Sequence, residues 1–239
     1  MLKKIEKSIV TGLEYLPADP KEVKLGKNRT TIYNYTKVLK EADFGQLKNT
    51  IQLEINTFTN PVPYEQKSIQ SYIGIYLTEG GFTEVVEKNQ LQPFNLNVLS
   101  RERTFLEKML SVIRLSYVGI EKLQEKIRHF YDLNMLYRQP DLGEELFTEK
   151  NFKILSSALL DDAATNIFKG DWMANPLASS PLLSNIEETW KQLETSYRKQ
   201  FSEFILRGEL PSSEEIISLL KKIKSFVEEY DKRIASKKK

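Results

Sequence analysis

Three short stretches carry side chains whose type and spacing could do chemistry. The first is Arg101 to Tyr117. Phe105, Leu106, Met109, Leu110, Val112, Ile113 and Leu115 make it apolar over most of a helical circumference. One narrow polar stripe is left: Thr104, then Glu107 with Lys108, then Ser111. Positions three or four apart share a helix face. A lysine in that setting either snorkels to solvent or meets a phosphate or a carboxylate. The second stretch holds Arg128, His129 and Asp132. Arg128 and Asp132 stand at i and i+4, the spacing of a surface ion pair worth about half a kcal/mol. His129 reads as a packed or hydrogen-bonded residue, or as a general base. The third is Glu54, with apolar neighbours on both sides. In a strand it either points to solvent on an open face or serves as a metal-binding carboxylate on a sheet.

These side chains need elements to hold them. Thr50 to Thr59 alternates, with Ile51, Leu53, Ile55 and Phe58 apolar and Gln52, Glu54 and Asn56 polar. A period of two predicts a strand with one buried face. Thr30 to Leu39, rich in Thr, Ile, Tyr and Val, supplies a partner strand, and Gln46-Leu-Lys-Asn can turn the chain between them into a hairpin. Residues 1–27 read as a helix that breaks at Pro17 and Pro20 and ends in a loop at Gly26. Ser68 to Leu77 fits a short helix or a strand, Gly80-Gly81 marks a break, and Phe94 to Leu99 is a further short strand. Ser100 is placed as an N-cap, with Glu102 in the first turn behind it. Helical periodicity then runs to the end, near 101–117, 120–138, 148–168, 184–207 and 212–235, punctuated by Gly119, Pro140, Gly170, Pro176, Pro181 and Gly208. The reading is an α+β chain of two parts: a partial α/β region over 1–100 and a helical domain over 101–239.

Composition narrows the classes of function. With 239 residues the chain can form one large domain or two small ones, each with a core. A net charge of +2 from 35 basic and 33 acidic residues advertises neither nucleic acid nor membrane, and leaves room for a local basic groove. The absence of cysteine excludes disulfides, thiolate metal sites and cysteine catalysis. A single histidine excludes multi-histidine zinc centres. No apolar run reaches the roughly 20 residues that span a bilayer. The charged start, Met1 to Lys7, has no apolar stretch or cleavage site, so the cytoplasm is expected. Lys237-Lys238-Lys239 reads as a solvated end.

Taken together and in order, the three stretches carry a resemblance. L-S-R-E-R-T-F-L-E-K (Leu99 to Lys108) followed by K-I-R-H-F-Y-D-L-N-M-L (Lys126 to Leu136) resembles the back half of the AbiEii/AbiGii nucleotidyltransferases, the toxin halves of bacterial toxin–antitoxin pairs. Members of that family read T-F-x-E-K and then R-H-x-x-D-L. Upstream they carry an I-x-x-E-I-type strand, which Ile51-Gln-Leu-Glu54-Ile resembles, and a short I-x-S-Y element, as in Ile69-Gln-Ser-Tyr72. The resemblance covers roughly residues 30 to 140.

It implies a nucleotidyltransferase-like mixed sheet, incomplete at the front, and transfer of nucleotide from an NTP to RNA, tRNA foremost, by an abortive-infection toxin with a cognate antitoxin. It further implies Mg²⁺, which neutralises charge developing on the triphosphate. By the same resemblance Glu54 is a metal carboxylate that activates the attacking hydroxyl. Lys108 faces the nucleotide phosphates, and Asp132 lies close to that lysine. Arg128 and His129 hold RNA phosphate or fix Asp132, and Thr104 and Glu107 shape the same helix face. The family's two principal metal acids sit in a G-G/G-S…D-x-D motif ahead of these segments. No D-x-D occurs in this chain, and its one Gly-Gly, Gly80-Gly81, follows Glu54. The expectation is therefore the supporting half of a site, without the N-terminal motif, in which Glu54 alone could not hold two Mg²⁺ ions. Two rivals stand beside it: a non-catalytic remnant that binds RNA or an antitoxin, and a generic helical interaction protein whose Lys108 and Asp132 point to different surroundings.

Overall fold

A computed structural model describes residues 1–9, 12–17, 19–35, 50–164, 170–201 and 209–237. The fold is α+β, with strands in the front hundred residues and helices behind. The chain opens with α1 (Leu2–Ile9), then β1 (Glu14–Tyr15), β2 (Val23–Lys24), β3 (Asn28–Asn34) and β4 (Thr50–Asn56). The helix expected over residues 1–27 thus stops at Ile9. Gly12 takes a positive φ of 81°, and Pro17 and Pro20 lack the N–H a helix needs, so the segment pairs with β3 instead. α1 is held to the sheet by Glu6, which is buried, ion-paired with Arg29 and hydrogen-bonded by the Tyr33 hydroxyl at 2.6 Å.

β3 and β4 pair antiparallel, with Thr30 opposite Glu54 and Ile32 opposite Gln52. The hairpin-like pairing matches the period of two, and the expected turn at Gln46–Asn49 lies outside the described residues. A second sheet joins β5 (Tyr64–Ile69) to β6 (Phe94–Leu99), again antiparallel, with α2 (Tyr72–Glu79) and α3 (Thr83–Lys88) between them. Among the described residues the expected single mixed sheet is therefore two small antiparallel ones. The ambiguous stretch from Ser68 to Leu77 is both things in turn. β5 ends at Ile69, and Ser71 starts α2 by accepting the Gly74 N–H at 3.0 Å.

Ser100 ends β6 and caps α4 (Arg101–Ser116), its hydroxyl accepting the Arg103 N–H at 3.2 Å. α4 is the central helix, with Phe105, Leu106, Met109, Leu110, Val112 and Ile113 all buried. Gly119, at φ 134°, makes the turn that follows, a backbone region other residues enter at a cost. The single helix expected over 120–138 is broken at Lys126 into α5 (Ile120–Glu125) and α6 (Arg128–Tyr137). α7 (Phe152–Ala164), α8 (Pro181–Ser184), α9 (Ile186–Phe201) and α10 (Ser213–Lys237) complete the bundle. Residues 165–169 and 202–208, the ends of two expected helices, lie outside the described residues, as do Lys238 and Lys239. Every member of the main buried apolar cluster falls between Phe105 and Tyr230. The sheets, by contrast, bury little: Leu2, Ile32, Tyr33 and Val86 are the buried apolar residues described before residue 100.

Candidate functional site

α4 positions most of the groups singled out by sequence, because one face of it is core and the next is polar. Lys108 leaves α4 toward α6. Its ammonium meets Asp132 Oδ2 at 2.7 Å, both side chains being partly exposed. Burial works to raise the Asp132 carboxyl, but the neighbouring His129 and Lys108 outweigh it and hold the group below its ordinary range. His129 Nδ1 stands 4.0 Å from the same oxygen, outside hydrogen-bond range, and is buried without a partner. Lys108 is therefore the direct partner of Asp132, with His129 standing beside the same oxygen.

The i,i+4 pair between Arg128 and Asp132 does not form. Arg128 is exposed at the start of α6, and Asp132 turns to Lys108 instead. Thr104 donates its hydroxyl back to the Ser100 carbonyl at 2.9 Å, which reinforces the first turn of α4. Glu107 faces the other way from Lys108 and accepts from Arg103 Nε at 2.7 Å. Glu54 is exposed on the open face of β4, and its described partner is the Gln52 amide on the same strand. Thus Lys108, Asp132 and His129 come together, Glu107 and Thr104 flank them on α4, and neither Lys108 nor Asp132 hydrogen-bonds Glu54.

Sequence reading missed a second set of charges on α4. Arg103 is completely buried. Besides Glu107 it reaches Asp161 Oδ2 on α7 at 2.6 Å and the Ile154 carbonyl at 3.4 Å. One signal was available. Arg103 falls three and seven residues before Leu106 and Leu110, so it sits on the core stripe and needs partners there. Three turns further on, Arg114 pairs with Asp162 at 2.7 Å. Burial pushes the Asp162 carboxyl up despite Arg114, and pushes the Arg114 guanidinium down. A half-enclosed cavity of about 120 Å³ lies here, lined by Thr59, Glu107, Leu110, Arg114, Ala158 and Asp162.

A magnesium centre of the two-ion kind needs several carboxylates converging on one point. Among the described residues no group of three or more Asp, Glu, His or Cys side chains is placed to hold a metal ion. Glu54, the one carboxylate assigned to metal by resemblance, is exposed and bonded to Gln52. These residues do not fit the ion by themselves. What they offer is a cation, Lys108, held ready beside a carboxylate at the edge of a rigid bundle.

An α+β chain whose helical back half carries that pair is the class the fold defines, and the comparison with known families specifies it. The family described as nucleotidyl transferase AbiEii toxin, type IV TA system, matches residues 2–218. The chain belongs to this family. No curated protein and no solved structure matches it. Among the described residues no helix is long and apolar enough to cross a membrane.

Proposed function

We propose that this chain serves nucleotide transfer from an NTP to an RNA acceptor, tRNA foremost, as a bacterial toxin acting in the cytoplasm in abortive infection and neutralised by a cognate antitoxin. The observation that carries the reading is the 2.7 Å contact between Lys108 and Asp132. It joins the two segments in which the family resemblance is densest. A generic helical scaffold with Lys108 and Asp132 in different surroundings would lack this contact.

The roles follow from charge. Lys108 is a cation on a partly exposed face, suited to nucleotide phosphates, and Asp132 holds it in place until phosphate competes for it. Arg128, exposed beside them, suits RNA phosphate, and His129 modulates Asp132. Thr104 and Glu107 set the helix face. Glu54 would contribute one carboxylate to Mg²⁺. The residues described here do not complete such a site, so no step is assigned to the ion. The division at residue 100, with a partial α/β region before it and a helical domain over 101–239, belongs to the same reading.

The test is incubation with each labelled NTP, Mg²⁺ and total tRNA. This chain alone should leave tRNA unlabelled. Adding in trans a segment that carries the G-S…D-x-D motif should produce labelling, and Lys108→Met should abolish it. Robust labelling by the chain alone would overturn its assignment as the supporting half of a site. A second reading is favoured by one observation, the lack of any D-x-D. It is a non-catalytic module that binds RNA or an antitoxin. That module would bind tRNA in a salt-dependent way with no labelling under any condition.

A further inference from the structure

The segment between β4 and β5, residues 57–63, crosses from the strand of Glu54 to the helical bundle. Its Thr59 lines the cavity of about 120 Å³ together with Glu107, Leu110 and Arg114 of α4. Three hydrogen bonds fix its course. The Thr57 N–H donates to the Lys27 carbonyl at 2.9 Å, and the Pro63 carbonyl accepts from the Ser100 N–H at 2.9 Å. Between these ends the Asn60 N–H donates to Asp161 Oδ2 at 3.2 Å. That same oxygen takes Arg103 Nη2 at 2.6 Å. Arg103 is sealed from solvent, with Glu107 and the Ile154 carbonyl as its other acceptors, so it cannot swing away and Asp161 is fixed in turn.

We infer that Asp161 is a positioning residue: one carboxylate oxygen ties the end of β4, and with it Glu54, to α4, the helix of Lys108. The significance of this tie rests on the reading of Glu54 and Lys108 as parts of one site; the tie itself does not. Asp161 sits on α7, outside the three short stretches that the sequence singled out and within the residues that the family matches. It would act without touching a substrate, by keeping the sheet from shifting over the bundle.

The chain has no cysteine, so spin labels can be placed cleanly at Asn56→Cys, at the end of β4, and Glu121→Cys, on α5. Both positions are exposed. Electron–electron resonance on the full chain then reads the distance from sheet to bundle. Asp161→Ala should at least double the width of the distance distribution. That variant strands a buried guanidinium and risks unfolding, so Arg103→Met with Asp161→Leu is the companion. It replaces the charge pair by apolar volume, which a core tolerates, yet leaves the Asn60 N–H without its acceptor. It should keep the melting temperature near that of the parent and still broaden the distribution. A purely structural role for Asp161 predicts the reverse, a lower melting temperature with an unchanged width, and an unchanged width in the companion variant overturns the inference. Failure of the tRNA-labelling experiment would strike the nucleotidyl-transfer reading and leave the distance result standing, so the two fail separately.

Discussion

At the scale of single residues, the site depends on which charges are buried. The Lys108–Asp132 contact is partly exposed, so it orders two side chains more than it stabilises the fold. Its sign with pH is fixed by the direction of the Asp132 shift. A carboxyl held below its ordinary value contributes fully above the unfolded pKa of about 3.9, and that contribution is lost as pH falls through the lower folded value. Urea midpoints of the parent and of Asp132→Asn should therefore differ near neutrality and converge as the pH is brought below about 4. A gap that stays constant would show that Lys108 and Asp132 are not coupled in solution. Arg103 is a different case, being wholly buried with two carboxylates and a carbonyl around it. Arg103→Met removes the shared partner of Glu107 and Asp161. Both carboxylates can reach solvent, so the loss should fall at the low end of the range for breaking a buried pair, about 3 kcal/mol. Urea denaturation measures it.

At the scale of elements, α4 carries the design. Its start is set by Ser100, which is buried and accepts a helix N–H while its own N–H bonds Pro63. Ser100→Ala should cost about 1 kcal/mol, the usual loss of an N-cap, read as a lower melting temperature with an unchanged fold. α6 is placed on α9 by aromatic packing. Phe130 lies 5.5 Å from Trp190, which in turn lies 5.1 Å from Tyr197. Because α6 also carries Asp132, Trp190→Ala should do two things. It should destabilise the chain by about 3–5 kcal/mol and loosen the Lys108–Asp132 contact. The second effect shows as a Lys108 ammonium resonance that loses its coupling to Asp132. The packing of α6 against α4 brings Asp132 to Lys108, although Arg128 stands one turn away on the same helix.

At the scale of the whole molecule, stability is distributed unevenly. The core spans Phe105 to Tyr230, whereas the sheets bury few apolar residues. The unit from β5 to β6 leaves a stripe of large apolar side chains in solvent, with Tyr72 at 92% and Tyr76 at 71% exposure. Neighbours on one helical face, they are continued by Phe82, whose ring lies over Gly80. Exposed apolar stretches of this kind bind hydrophobic dyes. The folded chain should raise 1-anilinonaphthalene-8-sulfonate fluorescence at neutral pH, and Tyr72→Lys with Tyr76→Lys should remove most of that signal without changing the melting transition. A folded parent that leaves the dye dark would show the stripe to be covered in solution.

Local pattern was enough for a good part of this protein. Alternation from Ile51 to Asn56 gave a strand, the polar–apolar switch at Ser100 gave a cap and a helix, and two short segments marked Lys108 and Asp132. Such features are written in neighbouring residues, because side-chain periods of 2 and 3.6 are properties of single elements. Where the pattern was weak it misled. The first 27 residues look helical by composition, yet they end as edge strands because β3 offers backbone partners. Only the tertiary structure decided which charges meet. Asp132 has Arg128 one turn away on its own helix and Lys108 on another, and it takes Lys108, because α6 packs with that face toward α4. Arg103 and Asp161 are 58 residues apart, and nothing local announces their pairing. An ion pair across helices is fixed by how two faces pack, and packing is set by the whole core and not by any one stretch of chain.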